Sequence, residues 1–217
     1  MNLDLVPKVE GEGKEWRFIG VWSKNRLEWT ETLLASMHYR ITTIGFYDAM
    51  SAEQVDYILN QTEMPSVVCS LEYAQKLVKM KADGMATMLR SLIVIDAFGD
   101  DLVQAAGQVN IAVHFWRDVS QSGENGSNHP FEFPEKDDIY IFSYTSGTTG
   151  DSKGAKLSHD NIICNLRCML PRLPMMPGES YISYLPYTHG YEQCLLGQAL
   201  VVQLKIGYYS GDPTRLA

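Results

Sequence analysis

The segment Tyr144–Lys156 reads Y-T-S-G-T-T-G-D-S-K-G-A-K. From Thr145 to Gly154 it carries three glycines, five hydroxyl side chains and one lysine. That set of residue types suits the holding of phosphate. Glycine has no Cβ in the way and tolerates φ > 0, so several backbone N–H groups can converge on one anion. Lys153 adds a mobile positive charge. The segment is not a Walker A loop, which requires G-x-x-x-x-G-K-[ST]. Counted from Gly147, the second glycine position holds Ser152. After the lysine stands Gly154, where a Mg²⁺-binding hydroxyl would be needed. The hydroxyls cluster before the lysine instead, at Thr145, Ser146, Thr148 and Thr149. A flexible surface turn rich in Ser, Thr and Gly is the other reading of the same residues.

The flanking sequence must position this loop. Before it, Ile139-Tyr140-Ile141-Phe142 is an apolar run of strand length. After it, Ser158 is a candidate N-cap, followed by Ile162, Ile163, Leu166, Met169 and Leu170 at helical spacing. The prediction is strand, Gly-rich loop, helix. Upstream, Trp16–Trp22 reads as a first strand. Asn25, with Glu28 three residues on, reads as the cap of a helix whose face carries Trp29, Leu33 and Met37. Ile41–Tyr47 reads as a second strand. Ser51 with Gln54 forms a capping box ahead of Val55, Ile58 and Leu59. Ser66–Cys69 is a short strand, Leu71–Met80 has helical spacing, and Leu92–Ile95 is a fourth strand. Strands alternating with helices predict parallel pairing with right-handed crossovers. Their continuous apolar runs predict burial on both faces. Ligands of such sheets sit beyond the carboxyl ends of strands, where the loop lies. The stretch 121–138 is rich in Gly, Ser, Asn, Pro and acids and reads as a linker. It divides residues 1–120, the first βα repeats, from residues 139–217, the phosphate-loop segment.

Composition sets outer limits. The chain has 217 residues, 45% hydrophobic and 20% charged, an ordinary globular balance. A net charge of −8 argues against a broad nucleic-acid surface. No apolar run approaches the ~18–20 residues of a membrane helix. The N-terminus has neither a basic nor an apolar leader region, so no secretory signal is read. Cys164 and Cys168 fall on one helical face, but two thiols without a matching histidine make a poor metal site. The four cysteines read as buried, reduced thiols. Gly11 and Gly13 have Trp16 where a dinucleotide fingerprint needs its third glycine. His38, His114 and His129 show no partners in the sequence. His159 borders a helix start.

Phe142–Lys153 (F-S-Y-T-S-G-T-T-G-D-S-K) resembles the signature loop of the adenylate-forming enzymes. That superfamily includes acyl-CoA synthetases, luciferases and peptide-synthetase adenylation domains. Its usual loop has Pro before the lysine; Ser152 here loosens the loop without removing a phosphate contact. Phe18–Trp29, Ile44–Tyr57, Ser183–Glu192 (S-Y-L-P-Y-T-H-G-Y-E) and Ile206–Asp212 resemble, in order, segments of long-chain fatty acyl-CoA synthetases. The resemblance implies an α/β fold with a mostly parallel sheet, part of the large N-terminal domain of an adenylate-forming enzyme. It implies ATP, Mg²⁺ and CoA as reaction partners and a fatty acid as substrate. By resemblance, the backbone of Ser146, Gly147, Thr148, Thr149 and Gly150 holds the β- and γ-phosphates. Lys153 neutralises phosphate charge, and the Thr145 hydroxyl helps bind Mg²⁺. His189 matches a histidine that shapes the acyl and nucleotide pocket; a helix-start histidine satisfied by backbone is the alternative. The implied setting is intracellular, in the cytoplasm or at the cytosolic face of a membrane such as the endoplasmic reticulum or peroxisome, with peripheral membrane association open to the parent enzyme.

The resemblance also implies later elements not found in this chain: a Mg²⁺-binding Glu, a ribose-binding Asp, and a small domain bearing a Lys for the α-phosphate. The chain is therefore expected to be a piece of a synthetase and inactive in isolation. A non-catalytic nucleotide-binding remnant and another adenylate-forming ligase with a different carboxylate remain alternatives.

Overall fold

The computed structural model describes residues 5–125, 130–145 and 153–209. A first hairpin joins β1 (Lys8–Gly11) to β2 (Lys14–Trp22). Helix α1 (Leu27–Met37), β3 (Thr42–Gly45), α2 (Ala52–Thr62), β4 (Ser66–Cys69), α3 (Leu71–Ala82) and β5 (Ser91–Val94) follow in the expected alternation. Then come α4 (Asp100–Gln108), β6 (Ala112–Phe115) and α5 (Trp116–Asn125). The last third holds β7 (Ile139–Thr145), β8 (Lys153–Ser158), α6 (His159–Met169), β9 (Ser180–Ser183), α7 (Gly190–Val202) and β10 (Lys205–Tyr208).

The main sheet runs β6-β5-β4-β2-β3-β7-β8. Every pair from β6 to β7 is parallel; among the described residues only the β1–β2 and β7–β8 pairs are antiparallel. The mostly parallel α/β architecture read from the sequence is therefore the one observed. Strands β3 and β4 are buried at every position, as the apolar runs required. Two cores flank the sheet. One takes Val55, Ile58 and Leu59 of α2, Leu77 of α3 and Leu102 of α4. The other takes Trp29 and Leu33 of α1 and Leu196 of α7. Each such aliphatic side chain contributes about 1.5–3 kcal/mol on burial. The chain passes from β2 to β3 on one side, then returns to β4 on the other. Strand order therefore reverses at β2, and the carboxyl ends of these strands frame the crevice where such sheets bind ligands.

Local signals read correctly where both partners are local. Ser51 with Gln54 forms the capping box read from the sequence, and Ser158 caps α6 as read, with Asn161 completing a second box. Three readings need correction. The Gly-rich loop does not lead straight into a helix: β8 intervenes and pairs back on β7. Asn25 does not cap α1; the cap position is Arg26, without a side-chain hydrogen bond. Cys69 and Cys194 are buried, but Cys164 and Cys168 are exposed, on the solvent side of α6. Helix α5 also continues to Asn125, inside the stretch read as a linker. Farther on, Glu132 and Asp138 are tied to the strand and helix ends of the first repeats. The Glu132 N–H donates to His38 O at 2.9 Å, and Arg17 pairs with Glu132 at 3.1 Å. Arg40 pairs with Asp138 at 2.9 Å.

Candidate functional site

Strand β7 builds the site. Its residues from Tyr140 to Tyr144 are buried, and Thr145 emerges at the exposed carboxyl end. In the antiparallel pair with β8, Tyr144 stands opposite Gly154 and Thr145 opposite Lys153. The pairing brings two of the sequence-predicted residues together at the mouth of one loop. The Thr145 hydroxyl donates a long hydrogen bond to the Lys153 carbonyl, at 3.5 Å. The Lys153 side chain is exposed and has no ion-pair partner among the described residues. The two residues thus paired are a lysine and a weakly engaged hydroxyl, types whose chemistry suits a phosphate and its Mg²⁺. Ser146, Gly147, Thr148, Thr149 and Gly150 lie outside the described residues.

The end of β7 is held from both faces of the sheet. On one, Ser143 Oγ donates to Thr188 O at 2.8 Å. On the other, the Tyr144 hydroxyl donates to Gln61 Oε1 of α2 at 2.8 Å. Burial pushes the Tyr144 phenol far above its ordinary range, so it stays a neutral donor. The Ser143 contact brings Thr188, and with it His189, alongside the loop strand. His189 is the N-cap of α7, exposed, with Nδ1 accepting the Tyr191 N–H at 3.2 Å. Its ring nitrogen is thus committed to the helix start while the residue before it touches the loop strand.

A second constellation fixes the 183–189 segment. Asn25 Nδ2 donates to Ser183 Oγ at 2.7 Å and to Leu185 O at 2.6 Å. Asn25 Oδ1 accepts the Tyr187 N–H at 2.9 Å. Ser183 Oγ donates in turn to Glu192 Oε1 at 2.5 Å, and the Tyr181 hydroxyl donates to the same oxygen. Gln193 Nε2 donates to Tyr187 O. Between this segment and the carboxyl ends of β2 and β3 lies a cavity of about 250 Å³. Trp29, Phe46 and Tyr187 give it aromatic walls, and Asn25, Asp48 and Thr188 give it polar edges. Beside it, Arg26 pairs with Glu28 at 2.8 Å and with Asp96 at 2.7 Å. The Arg26 hydrogen bond holds Glu28 below its usual range. For Asp96, burial pushes upward, but Arg26 and the Leu71 N–H outweigh it and the net shift is downward.

Asn25, Ser143 and Gln61 escaped the sequence reading because their partners are remote. Glu192 carried a signal: it is the only charged residue in α7, and it is fully buried. Asn25→Ala deletes three hydrogen bonds to part-buried groups and is expected to cost about 1–2 kcal/mol. Thermal melts should show Tm lower by about 2–8 °C for a domain of this size. An unchanged Tm would mean that water replaces the amide without loss.

The sequence pattern of the AMP-binding enzyme family matches residues 10–217. The chain belongs to that family. Among curated relatives, this AMP-binding chain is 32% identical over 201 residues to long-chain-fatty-acid–CoA ligase 5 of Rattus norvegicus. It is 31% identical over 209 residues to the peroxisomal acyl-CoA ligase 891 of Penicillium roqueforti. The alignments cover 90% and 91% of the chain but 29% of each relative, so the chain spans under a third of their length. Its fold is that of adenylation domains. The adenylation domain of a carboxylate reductase from Mycobacterium chelonae superposes with a TM-score of 0.74 at 17% identity, over 95% of this chain and 39% of that one. ATP-bound MatB from Rhodopseudomonas palustris gives 0.64 at 21% identity, over 92% and 36%. No helix among the described residues is long and apolar enough to cross a membrane.

Proposed function

We propose that the chain contributes the phosphate-holding half of a site that activates long-chain fatty acids with ATP and passes them to CoA. The observation that carries this reading is the register of β7 and β8. It sets an exposed hydroxyl, Thr145, opposite Lys153, a cation with no ion-pair partner among the described residues, at the carboxyl end of a parallel sheet. In the first step a fatty-acid carboxylate oxygen attacks the α-phosphorus of ATP, and the bond to the bridging oxygen of pyrophosphate breaks. In the second, the CoA thiolate attacks the acyl carbon and AMP leaves. An anion must approach a polyanion, so charge has to be neutralised in advance by groups already in place. Lys153 supplies a positive charge at the loop mouth. The backbone of residues 146–150 supplies N–H donors to the β- and γ-phosphates. Thr145 would hold Mg²⁺, which neutralises phosphate charge when bound. His189 follows Thr188, which lines the cavity and touches the loop strand, and its pocket-shaping role rests on the family resemblance.

The substrate class rests on the curated relatives, whose names include long-chain-fatty-acid–CoA ligases. One relative's name places it in the peroxisome, in keeping with an intracellular setting for this chain, in the cytoplasm or at a membrane's cytosolic face. The partners are then small molecules: fatty acid, ATP and CoA. ATP–pyrophosphate exchange by the full-length polypeptide, across acids from acetate to palmitate, tests the reading. Exchange should be fastest with long chains. A preference for acetate or for an amino acid would overturn the substrate assignment.

A further inference from the structure

Gly154 directly follows Lys153, and its backbone does not require a glycine: its φ is not among the positive values of the chain. Space requires it. A Cβ at this position would lie 3.1 Å from Cζ of Tyr144 and 3.3–3.4 Å from both Cε atoms. Those distances are tighter than ordinary contact, so the ring or the strand would have to give. The ring is not free to do so. Tyr144 is only 2% exposed, and its hydroxyl is moored to Gln61, whose own amide reaches the Tyr57 hydroxyl at 3.4 Å. One residue along the same ladder, Thr145 faces Lys153. A displacement of β8 at Gly154 therefore moves the lysine directly.

We propose that Tyr144 is a positioning residue. Its ring, seated on Gly154 and moored to α2 through Gln61, sets the height of Lys153 against Thr145 and so the fit of the loop mouth to a phosphate. The proposal rests on the phosphate-binding reading above. It assigns Tyr144 no contact with nucleotide; it acts through the β7–β8 pairing.

The experiment measures Kd for Mg²⁺–ATP by calorimetry on the full-length polypeptide, with Tm recorded for each variant. Gly154→Ala is expected to raise Kd about tenfold, in line with the loss that sub-ångström misplacement of a binding group produces. Its Tm should fall only slightly. Tyr144→Phe keeps the ring and cuts the mooring, so Kd should rise about threefold. In the double variant Tyr144→Phe/Gly154→Ala the untethered ring can yield to the new methyl. Kd should then lie below that of Gly154→Ala, a rescue that a merely structural role would not give. Gly154→Ala binding ATP within about twofold of the wild type, or a double variant no better than Gly154→Ala, would overturn the proposal. Should Gly154→Ala fail to fold, Gln61→Leu cuts the mooring without adding an atom. It should raise Kd about threefold, and no change there would overturn the proposal equally. Lys153→Ala separates the two levels. If it weakens ATP binding while Gly154→Ala does not, only the positioning role fails. If neither variant changes Kd, or the wild type binds no ATP, the phosphate-binding reading fails with it.

Discussion

Lys153→Ala is expected to weaken ATP binding by about ten- to a hundredfold, the equivalent of a charge-assisted hydrogen bond of about 1.5–3 kcal/mol. The side chain is exposed and makes no ion pair among the described residues, so its loss should leave the fold intact. An exposed substitution of this kind typically changes stability by less than about 0.5 kcal/mol. A large affinity loss with an unchanged melting curve is therefore the expected pair of results. The difference between wild type and variant should shrink as salt rises, because a charge at the surface is screened within about 8–10 Å at ordinary ionic strength. Titration calorimetry at two salt concentrations makes the measurement. Equal affinity for the two proteins would remove Lys153 from the phosphate site.

Gly45→Ala should have the largest effect on stability. Gly45 ends β3 beneath the 183–189 segment. A Cβ there would fall 2.1 Å from Thr188 Cγ2, 3.2 Å from Thr188 Cβ and 3.3 Å from Trp29 Cζ2. No side chain tolerates the first distance, so Thr188 must move. Its carbonyl accepts the Ser143 hydrogen bond, and its neighbour His189 begins α7, so the displacement reaches the loop strand and the helix start together. Overpacking of this severity is expected to cost about 3 kcal/mol. For a domain of this size that lowers Tm by about 6–12 °C. Thr188→Ser removes Cγ2 and with it the 2.1 Å contact. In the Gly45→Ala background it should restore most of the lost Tm, although it destabilises or is neutral by itself. Additive losses in the double variant would show that Gly45 is needed for another reason.

How far the sequence could be read follows from the range of each interaction. The capping box at Ser51 and the N-cap at Ser158 were legible because donor and acceptor lie three residues apart. Asn25 presents the same local pattern, with Glu28 three residues on. Its amide is claimed instead by Ser183, Leu185 and Tyr187, about 160 residues away, and no local rule anticipates that. The buried strands were legible as apolar runs. Strand β8 was not: K-G-A-K-L-S lies at the sheet edge with half its residues exposed and none fully buried, and an edge strand carries little hydrophobic signal. Strand β6 is short and half-exposed and was missed for the same reason. At the candidate site, Lys153 was singled out by residue type and Thr145 by resemblance. That they face each other was not legible, since it depends on the β7–β8 register. The exposure of Cys164 and Cys168 follows from the orientation of α6, which buries Leu166 and turns both thiols outward.

The most direct test of the proposed chemistry is the identity of the nucleotide products. The full-length polypeptide would be incubated with palmitate, CoA and Mg²⁺–ATP labelled at the α- and γ-phosphates, and the products resolved by chromatography. Adenylation breaks the bond between the α- and β-phosphates. AMP and pyrophosphate should therefore appear in equal amounts, in step with palmitoyl-CoA, and only when palmitate is present. Release of ADP and orthophosphate, with or without palmitate, would contradict the assignment.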